Sequence, residues 1–172
     1  SQFLESTIDS KNEVIRVSLV VPAPAKDIFD LLASPAGHAV IDGSGNVKAP
    51  LADAPDRLAL GTKFGMDMKM GVKYKITNEV VEFEENARIA WRHFGGHIWR
   101  YILEPQADGS TKVTEEFDWK KNKANKSSGM KADPKKIATF AKIKFRTVGV
   151  KFLSIFLFFV TPVDGVFHVF NQ

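Results

Sequence analysis

The sequence predicts an α+β domain: a curved antiparallel sheet, two short helices after its first strand, and one long C-terminal helix. Three observations predict it. Between about residues 63 and 120 the chain breaks into segments of period-two hydrophobicity separated by turn signals, as antiparallel strands do. Just after the first strand, "PAPAKDIFDLLASP" and "AGHAVIDGSG" carry short helical patterns. After Pro134 the pattern becomes helical and stays so to about Phe159. Strands clustered apart from helices indicate α+β rather than alternating α/β. A long helix laid on a curved sheet is an economical cover for one apolar face.

Each element follows from local chemistry. "EVIRVSLVV" (Glu13 to Val21) is β-branched and reads as a strand. Prolines at its start and Ser34-Pro35 at its end frame the first helix, with Ile28, Phe29, Leu31 and Leu32 on the apolar side. The second short helix ends at Gly43 or Gly45, and "NVKA" makes a brief strand. "PLADAPDRLALG" is a loop. In "TKFGMDMKM", Phe64, Met66, Met68 and Met70 alternate with Lys63, Gly65, Asp67 and Lys69, the mark of a half-buried strand. Gly71, "ENAR" and "ADGS" are turns between the strands that follow. Residues 121–133 read as a flexible basic loop and 134–160 as the C-terminal helix, whose last turns are apolar all round. At 172 residues the chain is most simply one domain, spanning 1–172.

The stretch "RIAWRHFGGHIWRY" (88–101) is the richest in side chains that can do chemistry. Faces alternate along a strand, so residues i and i+2 agree. A two-residue Gly95-Gly96 turn pairs Trp91 with Arg100. A three-residue loop pairs odd with odd, and gathers Trp91, His93, Trp99 and Tyr101 on one face with Arg92 and Arg100 outside. Register follows the apolar face where one face is buried, which favours the three-residue loop. On the last strand the same parity puts Glu115 among Val113, Phe117 and Trp119. A carboxylate on an apolar face must be paired, hydrogen-bonded or protonated.

Composition narrows the function. Without cysteine there are no disulfides, thiolate metal sites or cysteine nucleophiles. His93 and His97 lack a third nearby ligand, so no metal site and no cofactor is expected. The chain lacks G-x-S-x-G, P-loop, Rossmann and H-E-x-x-H motifs. The segment from Trp119 to Lys151 holds 11 Lys/Arg against one acid, within a net charge of +4. No nucleic-acid motif accompanies it, so nucleic acid is not the expected partner. "SQFLESTIDSKNEV" has no signal-peptide pattern, and a cytoplasmic protein is the expectation. The apolar run Val148 to Val160 contains Lys151 and falls short of the roughly 20 residues that span a bilayer.

"VSLVVPAPAKDIFDLLASPAGHAVIDGSG", "ENARIAWRHFGGHIWRYILEP" and "KVTEEFDW" resemble the polyketide cyclase/dehydrase branch of the START-like (SRPBCC) superfamily, over about Val14 to Lys120. The resemblance implies the helix-grip fold: seven antiparallel strands gripping the C-terminal helix around a deep cavity. The chain departs from that pattern in its long basic connection and in the apolar "FLSIFLFFV".

Three functions follow. The first is binding of a hydrophobic small molecule of lipid, polyketide or polycyclic type. Phe64, Met66, Met68, Trp91, Trp99 and Phe117 would line the cavity, with His93, Tyr101 and Glu115 as polar footholds. The second is a polyketide aromatase/cyclase in which His93, Glu115 or Tyr101 moves protons. The third is a module that docks a membrane surface or a second copy of the chain through the basic loop and the apolar C-terminal helix. Asp42 is a further candidate ligand anchor.

Overall fold

The computed structural model describes residues 5–41, 47–70, 72–93 and 95–121. Asp42, nearly all of the basic loop and the helix expected at 134–160 lie outside them. The described chain runs β1 (Glu5–Asp9), β2 (Val14–Val21), α1 (Ala25–Leu32), α2 (Pro35–Ile41), β3 (Val47–Pro50) and β4 (Lys63–Met70). It continues with β5 (Val72–Glu84), β6 (Arg88–His93), β7 (Ile98–Pro105) and β8 (Thr111–Asp118). All eight strands form one sheet in the order β1-β2-β8-β7-β6-β5-β4-β3, with every neighbouring pair antiparallel.

The strand count corrects the expectation of seven. The additional strand is β1, which pairs Glu5 with Ser18 through to Asp9 with Val14 at the edge of the sheet. Its "ESTID" has a single apolar side chain, so no alternation betrays it. The turn that follows is chemically explicit. Asp9 accepts the Asn12 backbone N–H at 3.0 Å and its side-chain amide at 2.7 Å, and Glu13 takes a left-handed φ of 55°.

The turns at "ENAR" and "ADGS" form where the sequence places them, while Gly71 lies outside the described residues. Asn86 adopts φ 60° between β5 and β6, with the Ala87 N–H donating to Glu84 O at 3.0 Å. Between β7 and β8, Gly109 adopts φ 85° and Asp108 Oδ1 accepts from the Ser110 N–H at 3.0 Å. A bulge between Val80 and Glu82 on β5 changes which parity faces inward, so Val80 and Phe83 both belong to the core.

Helices α1 and α2 cover one end of the inner face. Ile28, Phe29 and Leu32 are fully buried against Val21, Ile89, Leu103 and Val113. The two helices approach closely at Gly37, where a Cβ would run into the Leu31 carbonyl. Arg57 ties the loop before β4 to both neighbours. It donates to Asp30 on α1 at 2.8 Å and to Glu85 at 2.5 Å, with its guanidinium 5.8 Å from the Phe29 ring. At the other end of the inner face, Ile15, Val17 and Trp119 form a second cluster, packed by Trp99 and Phe117.

The outer face is held by charge. Arg16, Glu116, Arg100, Ala90 and Glu82 stand in one row across five strands. Ala90 has only a methyl side chain, so Arg100 reaches over it to Glu82. Arg100 Nε and Nη2 donate to the two Glu82 oxygens at 2.8 and 2.5 Å, and Nη1 donates to Glu116 at 3.2 Å. Arg16 meets the other Glu116 oxygen at 3.3 Å. The hydrogen bonds from Arg100 hold the Glu82 carboxyl below the usual carboxylate range. A carboxyl lowered in the folded state contributes stability above its unfolded pKa of about 4.3, and loses it as pH falls through the folded value. The stability advantage of the wild type over Glu82→Gln, measured by urea unfolding, should therefore be full at neutral pH and shrink below about pH 4. Arg100→Ala should cost about 2 kcal/mol at neutral pH, because it strips charged hydrogen bonds from a row that is mostly covered.

Candidate functional site

The β6–β7 hairpin turns over three residues, 94–96. The His93 N–H donates to His97 O at 2.9 Å, and the Gly96 N–H donates to His93 O at 2.8 Å. Gly96 takes φ 96°, a conformation open to glycine at little cost. Trp91 is consequently paired with Trp99 and Ile89 with Tyr101, odd with odd. The three-residue register expected from the buried face is the one observed.

Two rows of inward side chains result. Ile15, Phe117, Trp99, Trp91 and Val80 stand in register across five strands. Beside them run Val17, Glu115, Tyr101, Ile89 and Phe83. The first row is wholly apolar. The second carries one polar pair at its middle, in which the Tyr101 hydroxyl donates to Glu115 Oε1 at 2.8 Å. Both residues are buried, at 4% and 5% exposure, so the bond replaces water for both groups.

Most of the residues singled out in the sequence meet on this face. Phe64, Met66, Trp91, Tyr101 and Glu115 are buried, while His93, Trp99 and Phe117 are part-exposed. Met68 follows Met66 in the β4 ladder, opposite Tyr74. The Trp91 and Tyr101 rings lie 5.6 Å apart, and Trp99 and Phe117 lie 4.5 Å apart. His97 joins the second group, 5.1 Å from the Phe117 ring. The His93 and His97 rings stack at 4.5 Å within 16° of parallel. Imidazole lone pairs lie in the ring plane, so two stacked rings do not aim at one metal position. Among the described residues no group of three His, Asp or Glu is arranged to hold a metal ion.

The sequence reading missed His38. It lies on α2, is buried, and its Nε2–H donates to the Leu32 carbonyl at the end of α1 over 2.7 Å. Leu32 O can only accept, so His38 carries a proton on Nε2. Its ring stacks on Trp91 at 4.5 Å and meets the edge of Phe64 at 5.3 Å. The signal was present in "GHAVI": His38 and Ile41, three apart, share the buried helix face. His38 thus joins the helices to the aromatic row.

No family model matches the chain. An uncharacterized protein of Mycobacterium tuberculosis strain H37Rv, Rv0088, is 36% identical over 115 residues, which is 66% of this chain and 51% of that protein. The chain therefore spans about half the length of the curated relatives it matches. Among solved structures, the Polyketide_cyc-like protein Cgl2372 from Corynebacterium glutamicum superposes with a TM-score of 0.61 at 18% identity, covering 92% of this chain and 100% of that one. The major latex-like protein 151 from Panax ginseng gives 0.61 at 12% identity, covering 84% and 97%. A sheet with this strand order, two short helices after its β2 strand and these structural neighbours give the chain the START-like (SRPBCC-type) fold.

Proposed function

We propose that the chain binds a hydrophobic small molecule of lipid, polyketide or polycyclic type in a cavity over the inner face of its sheet. The observation that carries the proposal is a contrast within that face. The Tyr101–Glu115 pair is buried, whereas the neighbouring aromatics Trp99 and Phe117 keep part of their surface open. Aromatic surface left open beside an ordered polar pair is what a ligand wall requires: area for burial and a group to orient against. The described fold shared with a Polyketide_cyc-like protein and a major latex-like protein supports the same reading.

A second reading, a polyketide aromatase/cyclase, draws on the same pair. A phenol hydrogen-bonded to a buried carboxylate is a proton-sharing unit, and His93 stands on the same face. If the pair performs general acid–base chemistry, Glu115→Gln should lower product formation from a poly-β-ketone thioester by roughly 10²- to 10⁴-fold. Unchanged product formation in both Glu115→Gln and His93→Ala would sink this reading and leave the binding protein. Docking to a membrane or a second copy rests on residues beyond 121, which lie outside the described chain. No helix among the described residues is long and apolar enough to cross a membrane.

The binding proposal is tested with a neutral fluorescent apolar probe such as N-phenyl-1-naphthylamine. Losing about 80 Å² of ring contact at about 25 cal/mol per Å² amounts to about 2 kcal/mol, or roughly 30-fold in Kd. Trp99→Ala should weaken the probe by up to that factor, while Val20→Ala, on the outer face and exposed, should leave it unchanged. Absence of saturable binding, or an equal effect of both variants, would contradict the proposal. Tyr101→Phe removes the hydrogen bond to Glu115 without changing the ring, and should cost about 1–2 kcal/mol in urea unfolding.

A further inference from the structure

Among the described residues the buried polar side chains are His38, Asn78, Thr111, Thr114, Glu115 and Glu116. All but Asn78 are hydrogen-bonded. His38 donates to Leu32 O, Thr111 donates to Ala23 O, and the Thr114 and Ser18 hydroxyls share a bond of 2.8 Å. Glu115 accepts from Tyr101, and Glu116 accepts from Arg100. Asn78 is 5% exposed, yet its side-chain amide makes no hydrogen bond with a described residue. That amide carries two N–H donors and a carbonyl acceptor. Burying them unpaired costs free energy that an apolar side chain in the same place would not.

The ladder puts Asn78 on the inner face. Its neighbours two residues away on β5, Ile76 and Val80, both pack in the core. Thr77 and Glu79 take the other face, where Glu79 accepts from Arg92 at 2.8 Å. Across the sheet Asn78 stands between Phe64 on β4 and His93 on β6. The next rung holds Val80 and Trp91. A neutral amide is thus set into the aromatic side of the sheet, one rung from the row that ends in the part-exposed Trp99 and Phe117. On the same face Tyr101 gives its one proton to Glu115, so that pair is already engaged with itself.

We propose that Asn78 is the polar anchor of the ligand wall, and that it selects a neutral apolar molecule bearing a carbonyl or hydroxyl group. Nδ2 donates to a carbonyl oxygen, and Oδ1 accepts from a hydroxyl. A plain hydrocarbon leaves the amide buried and unpaired, which counts against it. A carboxylate loses its hydration, and an uncharged amide among aromatic rings does not replace that. The inference rests on the reading of the inner face as a binding wall and adds which chemical group that wall prefers.

The test is titration calorimetry of the full chain with 2-acetylnaphthalene, 2-naphthol, 2-naphthoate and 2-ethylnaphthalene, which share one ring system. Hydration differences between the compounds cancel when wild type is compared with Asn78→Leu. The affinity of 2-acetylnaphthalene or 2-naphthol relative to 2-ethylnaphthalene should fall roughly tenfold in the variant, and the larger fall tells carbonyl from hydroxyl. 2-Naphthoate should bind the wild type most weakly of the four. An unchanged ratio for both oxygenated compounds would overturn the anchor while leaving the wall intact, and 2-naphthoate as the tightest ligand would overturn the neutral class. Failure of all four to bind the wild type would sink the wall itself and the anchor with it. Should Asn78→Leu not fold, the Asn78 side-chain N–H resonances of the wild type decide. They should move downfield with saturating 2-acetylnaphthalene relative to 2-ethylnaphthalene, and identical positions in the two complexes would overturn donation to a carbonyl. The same comparison of 2-naphthol with 2-ethylnaphthalene, read at the Asn78 side-chain carbonyl carbon, decides the hydroxyl arm, and no difference in either comparison overturns the anchor.

Discussion

The β6–β7 hairpin turns over three residues, and that count decides which side chains look toward the helices. With Gly96 at φ 96° closing the loop, Trp91 falls opposite Trp99 and Ile89 opposite Tyr101. One residue fewer would bring Arg100 opposite Trp91 and throw a guanidinium into the aromatic row. The ladder then passes the choice outward. Tyr101 meets Glu115 on β8 and Glu115 meets Val17 on β2, so the polar pair and its apolar frame descend from one turn. Because strand periodicity is two, no partial slip is available, and the register is set as a unit.

The two faces of the sheet divide the labour. Outside, Arg16, Glu116, Arg100 and Glu82 bind five strands side by side through a row of ion pairs that depends on the small Ala90. Inside, the α1 and α2 end is a sealed core of Ile28, Phe29, Leu32 and Leu58 against the strands, whereas Trp99 and Phe117 at the other end remain part-exposed. His38 belongs to the sealed end and reaches the aromatic row by stacking on Trp91. A rigid outer face and sealed end are what allow a partly open aromatic surface to keep its shape, since a site is only as defined as the side chains that support it.

Much of this was legible in the residues. Period-two alternation from Phe64 onward, Asp-Gly at 108–109 and the Gly-Gly pair at 95–96 gave the strands and turns, and parity alone brought Trp91, Tyr101 and Glu115 together. Parity also put Arg92 and Arg100 outside. It could not reveal that Arg100 spans Ala90 to reach Glu82, because that contact depends on strand order rather than on any one strand. Strand β1 escaped because Glu5, Ser6, Thr7 and Asp9 offer no apolar face to count. His38 escaped because its two partners, the Leu32 carbonyl and the Trp91 ring, come from a helix end and a distant strand. The stacking of His93 on His97 and the acceptor role of His93 Nδ1 required the turn geometry.

Photolabelling of the full chain with a neutral apolar diazirine probe, followed by peptide mapping, tests the central claim most directly. The inner face as a ligand wall predicts saturable adducts on β7 and β8, centred on Trp99 and Phe117, that an excess of unlabelled apolar competitor removes. Adducts confined to outward apolar residues such as Val20 or Leu60, or labelling that never saturates, would contradict it.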